Sequence, residues 1–397
     1  MNSPMRAIPR LVRRWSGIAL LLGSALAAAA PLSAPAPAVA AAGNPLATRQ
    51  VMLQAEARTA YLATQAGKPA ICKKKHRHGL RYRVQQLEVG SNDFEGHATA
   101  VNNHGWVVGY SVSGAGDGIR PTLWIGGQAY DLGSPYQNNY VYDINDAGKI
   151  VGLSYDLSGL LFNAVSWYRG EFTVLPKLGG DNGVEAAAFG INRKGTIVGN
   201  SGKPGLSGVL AAAWSGGAPR ELANLGGAIA YAMHINDLGY SAGYANVSGG
   251  ILHAVVWTPQ GAIIDLSAGD AAYDLNNRGR VVGTVSSSGA ATYPLHWVRG
   301  VRSTLPTLGG SEGVAYGVND RDEAVGYSTT ATGLERATIW YGARAAQLDT
   351  LLEDGVNINI NIAYGINEKG QIAAISRNPV NNRVQPLLLT PYRCHGK

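Results

Sequence analysis

The chain has 397 residues, 46% of them hydrophobic and only 15% charged, with 53 Gly and just 2 Cys and 4 Met. Many Gly-punctuated short apolar runs with so few charges argue against a helix-rich enzyme and for an all-β protein. The formal net charge of +7 invites a nucleic-acid reading, but four Arg and no acid fall in residues 1–42, and nine Lys or Arg against Glu56 fall in 48–83. The remainder is mildly acidic, so no nucleic-acid partner is expected.

Arg6, Arg10, Arg13 and Arg14 lead into GIALLLGSALAAAA, residues 17–30. At roughly 14 residues this run is too short to span a bilayer and has the length of a signal-peptide core. Ala38-Val39-Ala40 supplies a small-x-small cleavage site, so residues 1–40 read as a secretory signal. Arg13-Arg14 leaves twin-arginine export as an alternative, although the apolar pair that usually follows is missing. No transmembrane segment is expected in the mature chain.

Residues 41–79 read as a helix plus a basic linker. PLATRQVMLQAEARTAYLATQA, 45–66, has Pro in its first turn and Gly67 past its end, and KPAICKKKHRHG follows. RYRVQQLEVG, 81–90, then reads as a lone strand.

From there the chain repeats itself. ATAVNNHGWVVG, VYDINDAGKIVG, AFGINRKGTIVG, AMHINDLGYSAG, AYDLNNRGRVVG, AYGVNDRDEAVG and AYGINEKGQIAA align on Asn102, Asn145, Asn192, Asn236, Asn276, Asn319 and Asn367. In phase, 21 or 22 residues past each Asn, stand Trp124, Trp167, Trp214, Trp257, Trp297 and Trp340, with Leu388 in the seventh unit. Each unit reads as four strands: a through the Asn, b through the apolar run, c through the Trp, and d through the Leu of segments such as LPKLGG. Asn, Asp and Gly between a and b suit a short hairpin that takes left-handed backbone angles. A calcium loop is the alternative for DINDAG and DLNNRG, but Ala147 and Arg278 stand at the fifth ligand position and no Glu closes the loop.

Seven four-stranded units predict a seven-bladed β-propeller over 80–397; an open β-solenoid is the runner-up. The small residue two before the Asn (Ala100, Gly190, Gly317, Gly365) suits strands crowded about an axis. The bulky one three before it (Tyr142, Phe189, Met233, Tyr273, Tyr316, Tyr364) suits packing between blades. The seventh unit lacks a d strand, and 81–90 is a strand without a unit. The N-terminal strand is therefore expected to complete the last blade.

On its GIN..G.IVG and L..LGG elements, best formed in 184–227 and 305–326, the chain resembles the HAF-repeat proteins, a bacterial extracellular family. The resemblance covers roughly 80–397. The name-giving tripeptide is eroded, His253-Ala254-Val255 being the nearest instance. The resemblance implies export and a repeat fold, and no catalytic residue.

Chemistry is sparse. Gly309-Gly310-Ser311-Glu312-Gly313 matches a hydrolase nucleophile elbow, which needs a strand entering a helix; here it reads as a d-to-a loop. No zincin, Walker or complete dinucleotide motif occurs, so no cofactor is expected. Cys72 and Cys394 flank the expected closure and read as a disulfide stapling the ring, worth up to about 5 kcal/mol in a loop of this length. His76, His78 and His395 beside them make a soft-metal site the alternative.

Asp143, His234 and Asp274 replace the small residue inside strand a. They suit either a polar lining for a small ligand or bonds to neighbouring backbone amides. The d-to-a and b-to-c loops carry Asp93, Glu95, Tyr136, Asn138, Asp181, Glu185, Asp270, Glu312 and Asp354. Acidic and aromatic groups together suit sugars, cations or a basic peptide, so a glycan, a peptide or a cell-envelope component is the expected ligand, with merely solvated loop charge the alternative. Two functions stay open: an exported, monomeric binding module, and a secreted enzyme acting on a glycan or peptide.

Overall fold

The computed structural model describes residues 79–156, 161–180, 184–285 and 292–393. The expected signal, the 45–66 helix, the basic linker, Cys72, Cys394 and Asp181 lie outside the described residues. What is described is all-β: 28 strands and a single turn of 3-10 helix at Leu348–Leu351. Five sheets have four antiparallel strands each, and a sixth of eight strands is two such units joined by one bridge, Ile119 to Asn138. Among the described residues no helix is long and apolar enough to cross a membrane.

Each unit follows the order read from the sequence. In the sixth, for example, a is Gly309–Val318, b Glu323–Thr330, c Glu335–Tyr341 and d Arg344–Gln347. The last unit has only Ile362–Ile366, Ile372–Arg377 and Val384–Arg393 of its own. Its fourth strand is Leu80–Gln86, antiparallel to Val384–Arg393 with Val84 opposite Leu389.

The a-to-b hairpin differs from expectation in one respect. The left-handed residue is the Gly three after the Asn in six units, as at Gly148 (φ 78°), and Asp322 (φ 62°) in the sixth. The Asn itself never has positive φ. Its role lies in its side chain: Asn319 Oδ1 accepts the amides of Arg321 and Glu323 at 3.0 and 3.1 Å and so closes the loop.

Strand a carries the same bulge in all seven units, with the pairing shifting between the residues four and two before the Asn, as at Val141/Asp143 and Ala232/His234. The extra residue is thus the bulky one. Strand b answers with Gly at the facing site in six units. A Cβ on Gly152 or Gly326 would land on the carbonyl of Tyr140 or Val314.

The core lies between successive units. Val282 and Leu305 of the fifth pack with Ala315, Val318 and Trp340 of the sixth. Leu87, Ala373 and Leu388 pack in the same way with Ala98, Val107 and Trp124 of the first. The Trp indoles reach back one unit: Trp214 bonds the Pro176 carbonyl and Trp340 that of Pro306, both at 2.7 Å. Trp124 bonds Glu88, just past the N-terminal strand, at 2.7 Å. The L..LGG segment supplies these carbonyls. It follows strand d rather than forming it, since Leu175 and Leu305 sit one residue past strands Glu171–Val174 and Val301–Thr304.

Candidate functional site

The first strands of all units gather around a common space. A Cβ on Gly190 would meet the backbone of His234, one on Gly317 that of Gly365, and one on Gly365 that of Ala100. At the hairpin end of this space each repeat Asn donates to the carbonyl of the next one. The bonds run Asn102 to Asn145 (3.2 Å), then to Asn192, Asn236, Asn276, Asn319 and Asn367, and from Asn367 back to Asn102 (2.8 Å). A second course lies beside it, in which the residue after the Asn donates its amide to the side chain of its counterpart, as Asn277 to Asp320 (2.7 Å) and Glu368 to Asn103 (3.0 Å). It is interrupted at Arg193, whose side chain has no acceptor.

Above these lie the three candidates inside strand a, and they converge. His234 Nδ1 is 2.6 Å from Asp274 Oδ1, and His234 Nε2 is 3.6 Å from Asp143 Oδ2. The Nδ1 contact is an ion pair when the imidazole is protonated. The carboxylates also face backbone. Asp143 accepts the amides of Ile144 and, one unit on, Ile191, both at 2.8 Å. Asp274 repeats this with Leu275 (2.7 Å) and Val318 (2.8 Å). Burial works against a charge on His234, but Asp274 and then Asp143 outweigh it and push its pKa up to about 9. Burial raises that of Asp143 despite His234. The trio thus links three units, and the two carboxylates favour the protonated form of the imidazole between them.

Of the loop candidates, Tyr136 and Glu185 precede the first strands of the second and third units, and Glu312 lies within the first strand of the sixth. Tyr136 lies 5.9 Å from the ring of Phe172. Glu185 is half-buried, its pKa raised by burial against the pull of Lys177. The Glu312 backbone is held by Thr329. Two expectations are corrected. Asp270 is a buried partner of Arg302, at 2.6 and 3.1 Å, because the fourth unit replaces the Leu-Gly-Gly segment with Ser267 and this ion pair. The Gly309–Gly313 motif lies inside extended strand Gly309–Val318, with no helix behind it, so Ser311 is not a nucleophile on an elbow.

A second group was not read as a site from sequence, although its bulge residues were expected to pack between units. It comes from three places in each unit: the bulge residue, the residue two before it, and the strand b residue opposite that one. Tyr142, Tyr273, Tyr316 and Tyr364 come from the first, Tyr140 and Tyr231 from the second, and Tyr110, Tyr244 and Tyr327 from the third. The rings touch from unit to unit: Tyr142 with Phe189 at 5.1 Å, Tyr273 with Tyr316 at 5.5 Å, Tyr316 with Tyr364 at 5.4 Å. Tyr142, Tyr273, Tyr316 and Tyr364 are partly buried, and the last three pack against the cluster of Val314, Tyr327, Ile362, Ile375 and Val384. Burial drives these hydroxyls far above their usual pKa and Tyr231 up to about 12. They are neutral donors and acceptors at any physiological pH.

No protein-family model and no curated protein matches the chain. Solved structures similar to it include an oligogalacturonate lyase in complex with manganese, at 10% identity and a TM-score of 0.47 over 79% of this chain and 98% of that one. They also include a Mycobacterium tuberculosis puromycin-hydrolyzing peptidase, at 12% and 0.45 over 78% and 56%, and a lectin from Burkholderia pseudomallei, at 11% and 0.40 over 81% and 98%. Likeness at this level assigns no activity.

Proposed function

We propose that residues 80–397 form a seven-bladed β-propeller of the HAF-repeat kind, closed by its N-terminal strand, and that the chain is an exported monomeric binding module rather than an enzyme. The Asn bonds that return from Asn367 to Asn102 and the pairing of Leu80–Gln86 with Val384–Arg393 support the ring. The observation that carries the function is the aromatic collar on the inner strands, whose partly buried rings meet from unit to unit. A concave, largely apolar space with a few convergent polar groups is the usual form of a ligand site.

The enzymatic reading has one specific observation in its favour, the approach of His234 to two carboxylates. Against it, both carboxylates accept backbone amides, and together they favour a protonated imidazole over a free base. Export rests on the basic lead, apolar run and Ala-Val-Ala site of residues 1–40. The test is to incubate the purified mature chain with arrayed glycans, peptides and cell-envelope fractions. Retention of an unaltered ligand is expected. Release of cleaved product would overturn the non-enzymatic reading.

A further inference from the structure

The collar contains more hydrogen-bonding capacity than the protein uses. Among the described residues, the hydroxyls of Tyr142, Tyr273, Tyr316 and Tyr364 have no hydrogen-bond partner, and none of these oxygens is sealed from solvent. Tyr244, only 8% exposed, likewise has no partner for its hydroxyl. At the corresponding place in the third unit stands Asn200, 1% exposed, whose Oδ1 is buried with no partner. Leaving a buried polar atom unpaired costs about 1–3 kcal/mol, which applies here to Asn200 Oδ1; the tyrosine hydroxyls are open to solvent, so water or a polar ligand completes them.

The charge around the collar is mixed: Asp143 and Asp274 follow two of its tyrosines and hold His234 between them, and Glu95 stands near Tyr110. Glu185 acts on Tyr231 and is opposed by Lys177; Glu335 acts on Tyr316 and Tyr364, and Arg377 opposes it at Tyr364. A strongly charged ligand finds no matching field. A quaternary ammonium would satisfy the ring faces but strip water from the hydroxyls and return nothing. A neutral molecule that offers a C–H face to aromatic rings and several hydroxyls around its edge meets both demands. Resting on the binding-module reading, we infer that the collar holds a neutral saccharide, with sugar rings against Tyr273 and Tyr316 and sugar hydroxyls bonded to the unpartnered tyrosine oxygens and to Asn200.

The experiment titrates the mature chain, by calorimetry, with cellohexaose, laminarihexaose, maltohexaose and chitohexaose, and in parallel with hexagalacturonate, spermine and a neutral glycine–serine peptide. Binding of at least one neutral hexaose is expected. Tyr273→Phe and Tyr316→Phe, which keep the ring and lose the hydroxyl, are each expected to weaken it about 5–10-fold, the loss of one hydrogen bond. Binding confined to the charged probes or the peptide overturns the saccharide and leaves the binding module standing. Neutral binding that both variants leave unchanged overturns the collar as its place. If no probe binds, both readings fall; if a bound hexaose is cleaved, the ligand class stands and the non-enzymatic reading falls.

Discussion

Asn319 accepts two amides of its own hairpin through Oδ1 and donates through Nδ2 to the Asn367 carbonyl, so a single side chain both forms the loop and ties one unit to the next. Only a carboxamide of this length supplies both functions. Asn319→Asp keeps the acceptor and loses the donor, leaving the Asn367 carbonyl buried beside a carboxylate. The expected cost is about 2–4 kcal/mol in chemical denaturation; a loss below about 0.5 kcal/mol would show that the donor does not matter. His234 yields a pH prediction. Its folded pKa of about 9 lies above the roughly 6.5 of a free imidazole. Its contribution is therefore complete below about pH 6.5 and fades as pH rises through 9. The melting temperature is expected to fall on the order of 3 °C more between pH 7 and 10 in the parent than in His234→Gln; parallel curves would contradict the charge assignment.

At the scale of elements, the c-to-d hairpins test the turn chemistry. Arg169 and Arg299 each precede a left-handed Gly and are left-handed themselves, at φ 52° and 53°. Such a turn favours Asn. Arg299 is exposed, so Arg299→Asn is expected to stabilise by about 0.5 kcal/mol, and a loss of stability in urea would refute the strain. What was legible in the sequence at this scale follows from repetition. Asn, Trp and the strand b Gly recur because each makes the same bond or close approach in nearly every unit, and a fixed spacing exposes them. The collar was not legible for the converse reason. Its three register positions lie on two strands and change identity between units, with His97, Tyr140, Ala187 and Tyr231 at one of them. The bulge also turns its residue in a way that an alternating pattern does not reveal. Spacing placed Asp143, His234 and Asp274 at one position in the repeat, but only coordinates gave their separations and the amides they hold.

At the scale of the whole molecule, the units are alike and the ends are not. The last unit takes its outer strand from Leu80–Gln86, and the Trp124 indole and the Leu87 cluster use that strand as other units use their own predecessor. In the proposed ring this pairing joins the start of the repeat region to its end, and the ring gains stability that a rod of stacked units lacks. The first and last units also meet at their inner strands, where a Cβ on Gly365 would press on the backbone of Thr99 and Ala100. The most direct measurement is a cross-link at that seam. Arg83 and Thr390 lie opposite each other in the pairing; both are changed to Cys in a chain whose Cys72 and Cys394 are Ser, and the product of mild oxidation is resolved without reductant. The account predicts a disulfide formed quantitatively within the monomer. Free thiols, or only dimers linked between chains, would contradict it.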